Sequence, residues 1–410
     1  MRQYVQAPNR QREANGRGTA AKRVAIINPH PIQYFAPLYA YLSAAEGIDL
    51  TVLYCTDHSL RAGRATGFGQ SFVWDVDLLD GYRSVFLGSR ARTRTPAGFL
   101  SLIVPEVWKE LGSGKYDAVV VHGHRYAANW LAVAAAKRFG VKVMMRSETH
   151  LGLRRPWWVR SMRKATVGSL YRLCDQVLAI GTANARFYRE MGVAEQNIAL
   201  VPYAVDNERF GRASRLSSSE RSGELAALGV SPHRPVVLYA SKFQRRKHPD
   251  DVVRAAAELT RRGAEFTLLM VGDGEMRVEL ERLARDLGLE NVVFAGFINQ
   301  RRLPTIYGIS DVFVLPSESE PWGLIVNEVM CAGLPVVVAH GVGCVEDLVV
   351  HGENGFQFEV GDVAGLAAAL QPLLSSPELR RRMGQRSREI VARWSYEQCL
   401  EGLRHALRRL

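Results

Sequence analysis

The stretch Asp311–His340, DVFVLPSESEPWGLIVNEVMCAGLPVVVAH, contains the pattern that decides the fold. An apolar run, VFVL, leads through a polar loop into an apolar segment with helical character, which ends at AGLP before a second apolar run, VVVA. Short continuous apolar runs are typical of parallel strands that are buried on both faces. A helix between two such strands forms a βαβ unit, so the stretch predicts a parallel α/β sheet.

The same alternation of short β-branched runs with helical patterns extends along the chain. Strand-like runs occur in the first half at 23–28, 48–55, 117–123, 141–148 and 176–181, and in the second half at 235–242, 266–274, 291–297, 311–317 and 334–340. Between them, near 203–222, a segment rich in Ser and Arg has no periodicity and is predicted to be a linker. We therefore predict two doubly wound, Rossmann-like α/β domains that face a central cleft, with ligands at the carboxyl ends of the strands.

The predicted domain limits follow from these patterns. Residues 1–22 are polar and basic and are expected to form a disordered arm. The first domain is placed at 23–205 and the second at 206–390. Residues 391–410 form a final helix, predicted to pack back on the first domain. No leader and no apolar run of the roughly 18 to 20 residues that span a bilayer is recognisable in the sequence.

Composition narrows the classes of protein that the sequence fits. The 410 residues include five cysteines that lie far apart, so neither a zinc site nor a disulfide framework is indicated. Because unpaired cysteines are typical of reducing compartments, a cytoplasmic location is expected. The net charge is +12, but residues 1–200 carry 27 Lys and Arg against 14 Asp and Glu, a net charge of +13. The excess indicates an anionic partner for the first half, which could be a membrane surface, a nucleic acid or an acidic substrate.

Two acids stand at the start of the helix in the opening stretch. Glu320 precedes Pro321 and is therefore expected in the loop, whereas Glu328 is expected more than one turn into the helix. The free amides near Gly323 are suited to a phosphate, and carboxylates on either side can accept hydrogen bonds from sugar hydroxyls. Their separation argues against a glycosidase pair. The alternative is a solvated loop acid and an acid that only stabilises the helix dipole.

Several cations and turns accompany these acids. The segment SKFQRRKHP begins at the end of the run at 235–242, so Lys242 and Lys247 are expected in the loop that follows this strand. There they could bind a diphosphate, or they could simply form a basic surface turn. VGDGEM is not a dinucleotide fingerprint, because its third glycine is replaced by Arg277, and is interpreted as a close-packed turn. No divalent metal and no other cofactor is expected.

In this order, SKFQRRKHP, VGDGEM, VVFAGFI, SESEPWGLIVNEVMCAGLPVV and HGENGFQF resemble the donor domain of glycosyltransferase family 4, whose members are retaining enzymes of the GT-B fold. The resemblance implies that Glu320 lies near the transferred sugar and Glu328 near the ribose of the nucleotide. It also implies that Lys242 and Lys247 hold the diphosphate. Donor contacts are further implied for Trp322, Gly323, Leu324, Phe297 and Ile298.

The first half resembles the same family through DAVVVHGH, LCDQVLAIGTANARFYREMGV and IALVPYAVDNERF. The resemblance implies that His122 contacts the sugar, and His124 is the neighbouring candidate. One departure is the loop NPHPIQYFAP, which has no glycine where the family usually has several. Its His30 and Gln33 are therefore assigned to the acceptor side, together with His124.

These observations lead to one favoured function and several alternatives. The chain is expected to transfer a sugar, with retention, from a nucleotide-diphosphate sugar to a hydroxyl of a lipid-linked saccharide or polysaccharide precursor. The alternatives are glycosylation of a small secondary metabolite, epimerisation or hydrolysis of a nucleotide sugar, and binding without catalysis. Residues 153–173, with Trp157 and Trp158 among Arg154, Arg155, Arg160, Arg163 and Lys164, predict a peripheral contact with an anionic membrane at the cytoplasmic face; nucleic acid is not expected. The alternative is a helix whose aromatic rings pack in the core and whose arginines are only solvated.

Overall fold

The computed structural model describes residues 21–60, 63–64, 71–72, 74–88, 98–149 and 157–410. The predicted basic arm, 1–22, lies almost wholly outside this range, as do Arg154 and Arg155. The chain divides into two compact units. The first contains residues up to Gly63, Val76–Tyr203 and Tyr396–Leu410, and the second contains Arg64–Asp75 and Ala204–Ser395.

The first unit is built on a parallel sheet with the order β5-β2-β1-β6-β7-β8-β9. Its strands are β1 (Lys22–Asn28), β2 (Ile48–Tyr54), β5 (Arg83–Phe86), β6 (Ala118–His122), β7 (Lys142–Arg146), β8 (Gln176–Ala179) and β9 (Ile198–Leu200). Two short strands, β3 (Gly63–Arg64) and β4 (Ser71–Phe72), lie outside this sheet. The strand order reverses at β1 and β6, the position where doubly wound sheets bind ligands.

Helices pack on the first sheet and bury its central strands. These helices are α1 (Phe35–Ala44), α2 (Glu106–Leu111), α3 (Ala127–Arg138), α4 (Trp157–Leu173), α5 (Thr182–Glu190) and α15 (Tyr396–Arg408). The last helix belongs to this unit although it ends the chain. Gly402 permits its close approach, because a Cβ there would lie 2.1 Å from the carbonyl oxygen of Leu200.

The second unit is built on a parallel sheet with the order β12-β11-β10-β13-β14-β15. Its strands are β10 (Val236–Ala240), β11 (Thr267–Val271), β12 (Val292–Gly296), β13 (Val312–Leu315), β14 (Val336–Ala339) and β15 (Gly355–Phe358). Its helices are α6 (Asn207–Ala213), α7 (Ser218–Ala227), α8 (Pro249–Arg261), α9 (Arg277–Asp286), α10 (Leu303–Ile309), α11 (Leu324–Ala332), α12 (Val345–Leu348), α13 (Val363–Ser375) and α14 (Pro377–Val391). The strand order reverses at β10 and β13.

The boundary between the units, at Tyr203 and Ala204, falls in the predicted linker near 203–222. The segment is not irregular, however, because α6 and the first half of α7 lie in it. Asp206 caps α6 by accepting a hydrogen bond from the backbone N–H of Arg209 at 2.9 Å. Ser217 caps α7 by accepting a hydrogen bond from the Glu220 backbone N–H, and the Glu220 carboxylate accepts one from the Ser217 backbone N–H, which completes a capping box. The Ser-x-x-Glu spacing from Ser217 to Glu220 is the sequence signature of a capping box and indicates that a helix begins here.

Candidate active site

The loop that carries Glu320 is fixed in the second unit by the loop that follows β14. The Glu320 backbone N–H donates to the carbonyl of Gly341 at 3.2 Å, and the Gly343 N–H donates to the carbonyl of Glu320 at 3.0 Å. Both glycines are required by this contact: a Cβ on Gly341 would lie 2.1 Å from the carbonyl oxygen of Glu318. The backbone of Glu320 is therefore held in place, in the loop before α11 where the following proline predicts it.

The structure brings the predicted residues Glu320 and Lys247 into direct contact. Lys247 ends a single turn, Arg245–Lys247, in the loop after β10, and its ammonium pairs with the Glu320 carboxylate. The hydroxyl of Ser317 donates to the same carboxylate at 3.3 Å. The Glu318 N–H donates to the carbonyl of Arg246 at 3.0 Å, so the loops after β10 and β13 form one hydrogen-bonded surface at the switch point of the sheet.

This surface concentrates positive charge around one acid. Burial, reinforced by the positive charges of Arg246 and Lys242, lowers the pKa of Lys247 to about 7, while the adjoining Glu320 carboxylate favours the charged form. Burial and Arg246 also lower the pKa of Lys242. Three cations near one carboxylate leave a positive excess, which a bound anion would compensate.

The start of α11 follows this surface. Gly323 caps the helix at a φ of 97°, and a Cβ there would lie 2.8 Å from Cγ1 of Val342, so only glycine fits. The Trp322 indole is buried: it donates to Oδ1 of Asn327 at 2.8 Å and lies 4.9 Å from the ring of Trp394. The Trp322 ring therefore belongs to the core.

Glu328, one turn into α11, is almost fully buried, with 1% of its surface exposed. The hydroxyl of Tyr307 on α10 donates to its Oε2 at 2.5 Å, and Oε1 has no hydrogen-bond partner among the described residues. Burial raises the pKa of Glu328 to about 7, although the Tyr307 hydrogen bond and the charge of Arg209 lower it. An unpartnered buried oxygen is costly and is consistent with a site for a ligand hydroxyl.

The glycine-rich turn after β11 supports the loop of Lys242. A Cβ on Gly272 would lie 1.9 Å from the carbonyl oxygen of Ser241, and the Phe243 N–H donates to the carbonyl of Asp273 at 2.9 Å. This confirms that VGDGEM is a close-packed turn. Phe297 and Ile298 are partly buried and follow the edge strand β12, at the same end of the sheet but two strands away from β10.

In the first unit, His122 ends β6, beside β1 at the point where the strand order reverses. The Phe35 ring meets the imidazole edge to face at 4.8 Å, and the Asn129 side chain donates to the His122 carbonyl at 2.9 Å. Burial and the positive charge of Arg146 lower the pKa of His122 to about 3, so the imidazole is neutral at physiological pH.

The other predicted residues of this unit have different surroundings. His124 is joined to Tyr171 of α4, with 2.8 Å between Nδ1 and the tyrosine oxygen, and burial lowers its pKa to about 4. These contacts are typical of a structural histidine. His30 is partly buried, with Nδ1 3.0 Å from the Pro31 carbonyl oxygen and the ring 4.9 Å from that of His58. Gln33 lies in the turn before α1.

Sequence reasoning missed Tyr307, Asn28, Tyr39 and Arg146. Tyr307 contacts Glu328, and the other three lie around His122. Asn28 and Arg146 end strands β1 and β7, and a polar residue at the end of an apolar run is a feature that could have identified them. The two tyrosines are placed by helix packing, which no local pattern indicates.

Comparison with known proteins matches both halves of the chain to glycosyltransferases. Residues 32–209 match the model of "Glycosyltransferase Family 4", and residues 223–390 match "Glycosyl transferases group 1". A D-inositol 3-phosphate glycosyltransferase of Nocardiopsis dassonvillei is 30% identical over 305 residues, 70% of this chain and 69% of its own. An N-acetyl-alpha-D-glucosaminyl L-malate synthase of Bacillus anthracis is 35% identical, over 42% of this chain and 43% of its own length. The chain spans about half the length of the first curated relatives that it matches.

Solved structures agree in fold. HepE of Anabaena, crystallised with UDP, has a TM-score of 0.72 at 18% identity, over 95% of this chain and all of its own. Sucrose-phosphate synthase of Thermosynechococcus elongatus has a TM-score of 0.71 at 22% identity, over 95% of this chain and 98% of its own. Together with the two parallel sheets, these matches show that the chain has the two-domain GT-B fold and belongs to glycosyltransferase family 4.

Proposed function

We propose that this protein transfers a sugar, with retention of the anomeric configuration, from a nucleotide-diphosphate sugar to a hydroxyl acceptor. The observation that carries the proposal is the contact of Lys247 with Glu320 in a cationic surface beside the N-terminus of α11. HepE of Anabaena was crystallised with UDP and with UDP-glucose, which supports a donor of this class. Family 4 membership supports retention.

The second unit would bind the donor through groups with separate tasks. Lys242, Lys247 and the amides from Trp322 to Leu324 stabilise the negative charge that grows on the leaving diphosphate, where preorganised charges contribute most. Glu320 orients the sugar hydroxyls and Glu328 holds the ribose. The aromatic and aliphatic side chains of Phe297 and Ile298 lie at the edge strand, where they would contact the base.

The chemical step would need no metal and no separate general acid. A diphosphate is a weak base, so it departs without being protonated, and one of its oxygens takes the proton of the acceptor hydroxyl on the same face of the sugar. The C–O bond to the diphosphate breaks as the bond to the acceptor oxygen forms, through an oxocarbenium-like state. Turnover should therefore persist in excess EDTA.

The first experiment is a thermal-shift panel of UDP, GDP, ADP and dTDP with their common sugars. One nucleotide should raise the melting temperature of the wild type and fail to raise that of Lys247→Ala. Arg245→Ala is the matched control, because Arg245 lies in the same turn but is largely exposed and pairs with Glu279. If no nucleotide stabilises the wild type at millimolar concentration, the donor assignment is wrong.

The acceptor is proposed to be a lipid-linked saccharide or a polysaccharide precursor, with a small secondary metabolite as the alternative. We assign acceptor binding to the first unit, with His30 and Gln33 on the acceptor side and His122 as a contact of the sugar. Release of free nucleotide from the donor alone would indicate a hydrolase or epimerase instead. Donor binding without sugar release in any acceptor mixture would indicate a binding protein.

A contact with an anionic membrane surface is also proposed, through α4. No helix in the described part of the chain is long and apolar enough to cross a membrane. Trp157 and Trp158 are nevertheless 78% and 54% exposed, and Met162 is exposed beside them, so the prediction that these rings avoid the core agrees with their placement. Exposed Lys164 adds positive charge to this end of the helix. Arg163 is predicted to face the anionic membrane, but its guanidinium instead packs over the Phe187 ring, 5.0 Å from the ring centre.

Cosedimentation with vesicles tests this contact. The protein should bind vesicles rich in phosphatidylglycerol better than vesicles of phosphatidylcholine, and the double variant Trp157→Ser/Trp158→Ser should lose most of the binding. Trp108→Ser is the control, because Trp108 is an exposed tryptophan on α2 that packs against Phe139. Equal binding of the double variant and the wild type would refute a role for α4. The proposal places this contact at the cytoplasmic face of the membrane.

A further inference from the structure

The hydroxyl of Tyr39 lies between two side chains of the first unit. The Asn28 amide nitrogen is 2.9 Å from the tyrosine oxygen, and Nε2 of His122 is 3.3 Å from the same oxygen. Tyr39 and Asn28 are both 1% exposed. Because the amide can only donate to this oxygen, the tyrosine proton must go to another acceptor. Within the described residues, Nε2 of His122 is the acceptor in contact with it.

This arrangement determines which nitrogen of His122 carries a proton. Nε2 accepts the hydrogen bond from Tyr39, so it holds a lone pair. Since the pKa of His122 is lowered to about 3 by burial and by Arg146, the ring carries only one proton at neutral pH, and that proton is on Nδ1. The edge-to-face contact with Phe35 and the hydrogen bond from Asn129 to the His122 carbonyl hold the residue in this orientation.

We propose that Asn28 and Tyr39 are positioning residues that fix His122 as its Nδ1–H tautomer, so that it serves only as a hydrogen-bond donor to a ligand oxygen. His122 then has no free lone pair and cannot act as the base that removes a proton from the acceptor hydroxyl. The part of this proposal that concerns the ligand rests on the proposed function. The chain of hydrogen bonds from Asn28 through Tyr39 to His122, here called the relay, does not rest on the proposed function. It gives a role to Asn28, which ends β1 and begins the glycine-free first loop.

The tautomer can be measured directly by two-bond ¹H–¹⁵N correlation NMR on protein labelled at histidine nitrogens. The resonances of His122 are assigned as those missing from His122→Gln. The wild type should show the pattern of an Nδ1–H imidazole. In Tyr39→Phe the pattern should become a mixture or the Nε2–H form, because Nε2 has lost its donor. Tyr41→Phe is the matched control, since Tyr41 is an exposed tyrosine on the same helix, and it should resemble the wild type.

Asn28→Asp provides a second variant in case Tyr39→Phe does not fold. An ionised carboxylate can only accept, so the tyrosine would donate to residue 28 and Nε2 of His122 would become the donor. An Nε2–H pattern in the wild type, or an unchanged Nδ1–H pattern in both variants, would overturn the relay. Neither outcome depends on turnover.

Kinetics test the consequence for the ligand. Tyr39→Phe should lower kcat by about 2- to 10-fold, the range expected for one hydrogen bond, with the donor KM nearly unchanged. His122→Gln should reduce kcat without changing the shape of the pH profile between pH 6 and 9, because a donor with a fixed proton adds no ionisation there. A pH limb that disappears in His122→Gln would show that the histidine acts as a base. No turnover in the wild type with any donor would contradict the proposed function and leave the tautomer assignment intact.

Discussion

Replacement of Glu328 by Gln should stabilise the second unit at alkaline pH while it weakens donor binding. The Glu328 carboxyl is 1% exposed, and its pKa is raised from 4.5 in an accessible side chain to about 7. The folded protein therefore holds this proton more tightly than the unfolded chain does. Stability falls as the pH rises from about 4.5 to about 7, and the full cost of the buried charge remains above pH 7.

The size of the effect follows from the pKa difference. A difference of about 2.5 pH units corresponds to about 3 kcal/mol, of which Glu328→Gln should recover most at pH 8 and almost none at pH 4. The glutamine has the same shape, and its amide oxygen can still accept the hydrogen bond from Tyr307. For a unit of about 200 residues, this corresponds to an increase in melting temperature of up to about 6–12 °C.

Differential scanning calorimetry at pH 4 and pH 8 measures this difference, on the transition that shifts with added nucleotide. Glu265→Gln is the control, because Glu265 is a largely exposed carboxylate of the same unit and its replacement should change little at either pH. The reasoning is refuted if Glu328→Gln melts at or below the wild-type temperature at pH 8, or if its shift is equal at the two pH values. A stabilised variant that binds donor poorly would mark Glu328 as a residue kept for function at the expense of stability.

Three further changes test other parts of the donor site and its unit. Lys247→Ala should lower kcat as well as raise the donor KM, whereas Glu328→Gln should chiefly raise the donor KM; steady-state kinetics would show the difference, and equal small effects would undo the assignment. Gly341→Ala should destabilise the unit and weaken donor binding, because its Cβ would displace the loop that holds Glu320; calorimetry and nucleotide titration both report this. Ser217→Ala should cost about 1 kcal/mol of stability by removing the cap of α7, with donor affinity unchanged.

The parts of the fold that the sequence predicts are those with strong local patterns. The central strands are continuous apolar runs, such as Val236–Ala240 and Val312–Leu315. The strands of the two large sheets that the sequence does not indicate, Arg83–Phe86, Ile198–Leu200 and Gly355–Phe358, are short edge strands with brief apolar runs. A strand of three or four residues gains its conformation from pairing with a neighbour, which sequence alone does not display.

The candidate site divides in the same way. Glu320, Gly323 and Lys247 were predictable because proline, glycine and strand ends determine where the backbone places them. The partner of Glu328 could not be predicted, because Tyr307 contacts it from a different helix, α10.

Charge gave a less direct guide to the site than backbone placement did. Residues 201–410 have a net charge of −1, and yet the cationic surface for the proposed diphosphate lies in this half, at Lys242, Arg246 and Lys247. Neighbouring acids of the same half are paired with other side chains: Glu279 pairs with Arg245, and Asp251 pairs with His248. An anion responds to the few charges within about a Debye length of it, near 10 Å, and not to the sum over a domain. The excess of +13 in residues 1–200 therefore does not locate the donor, and it is better explained by a second anionic surface, such as the membrane proposed for α4.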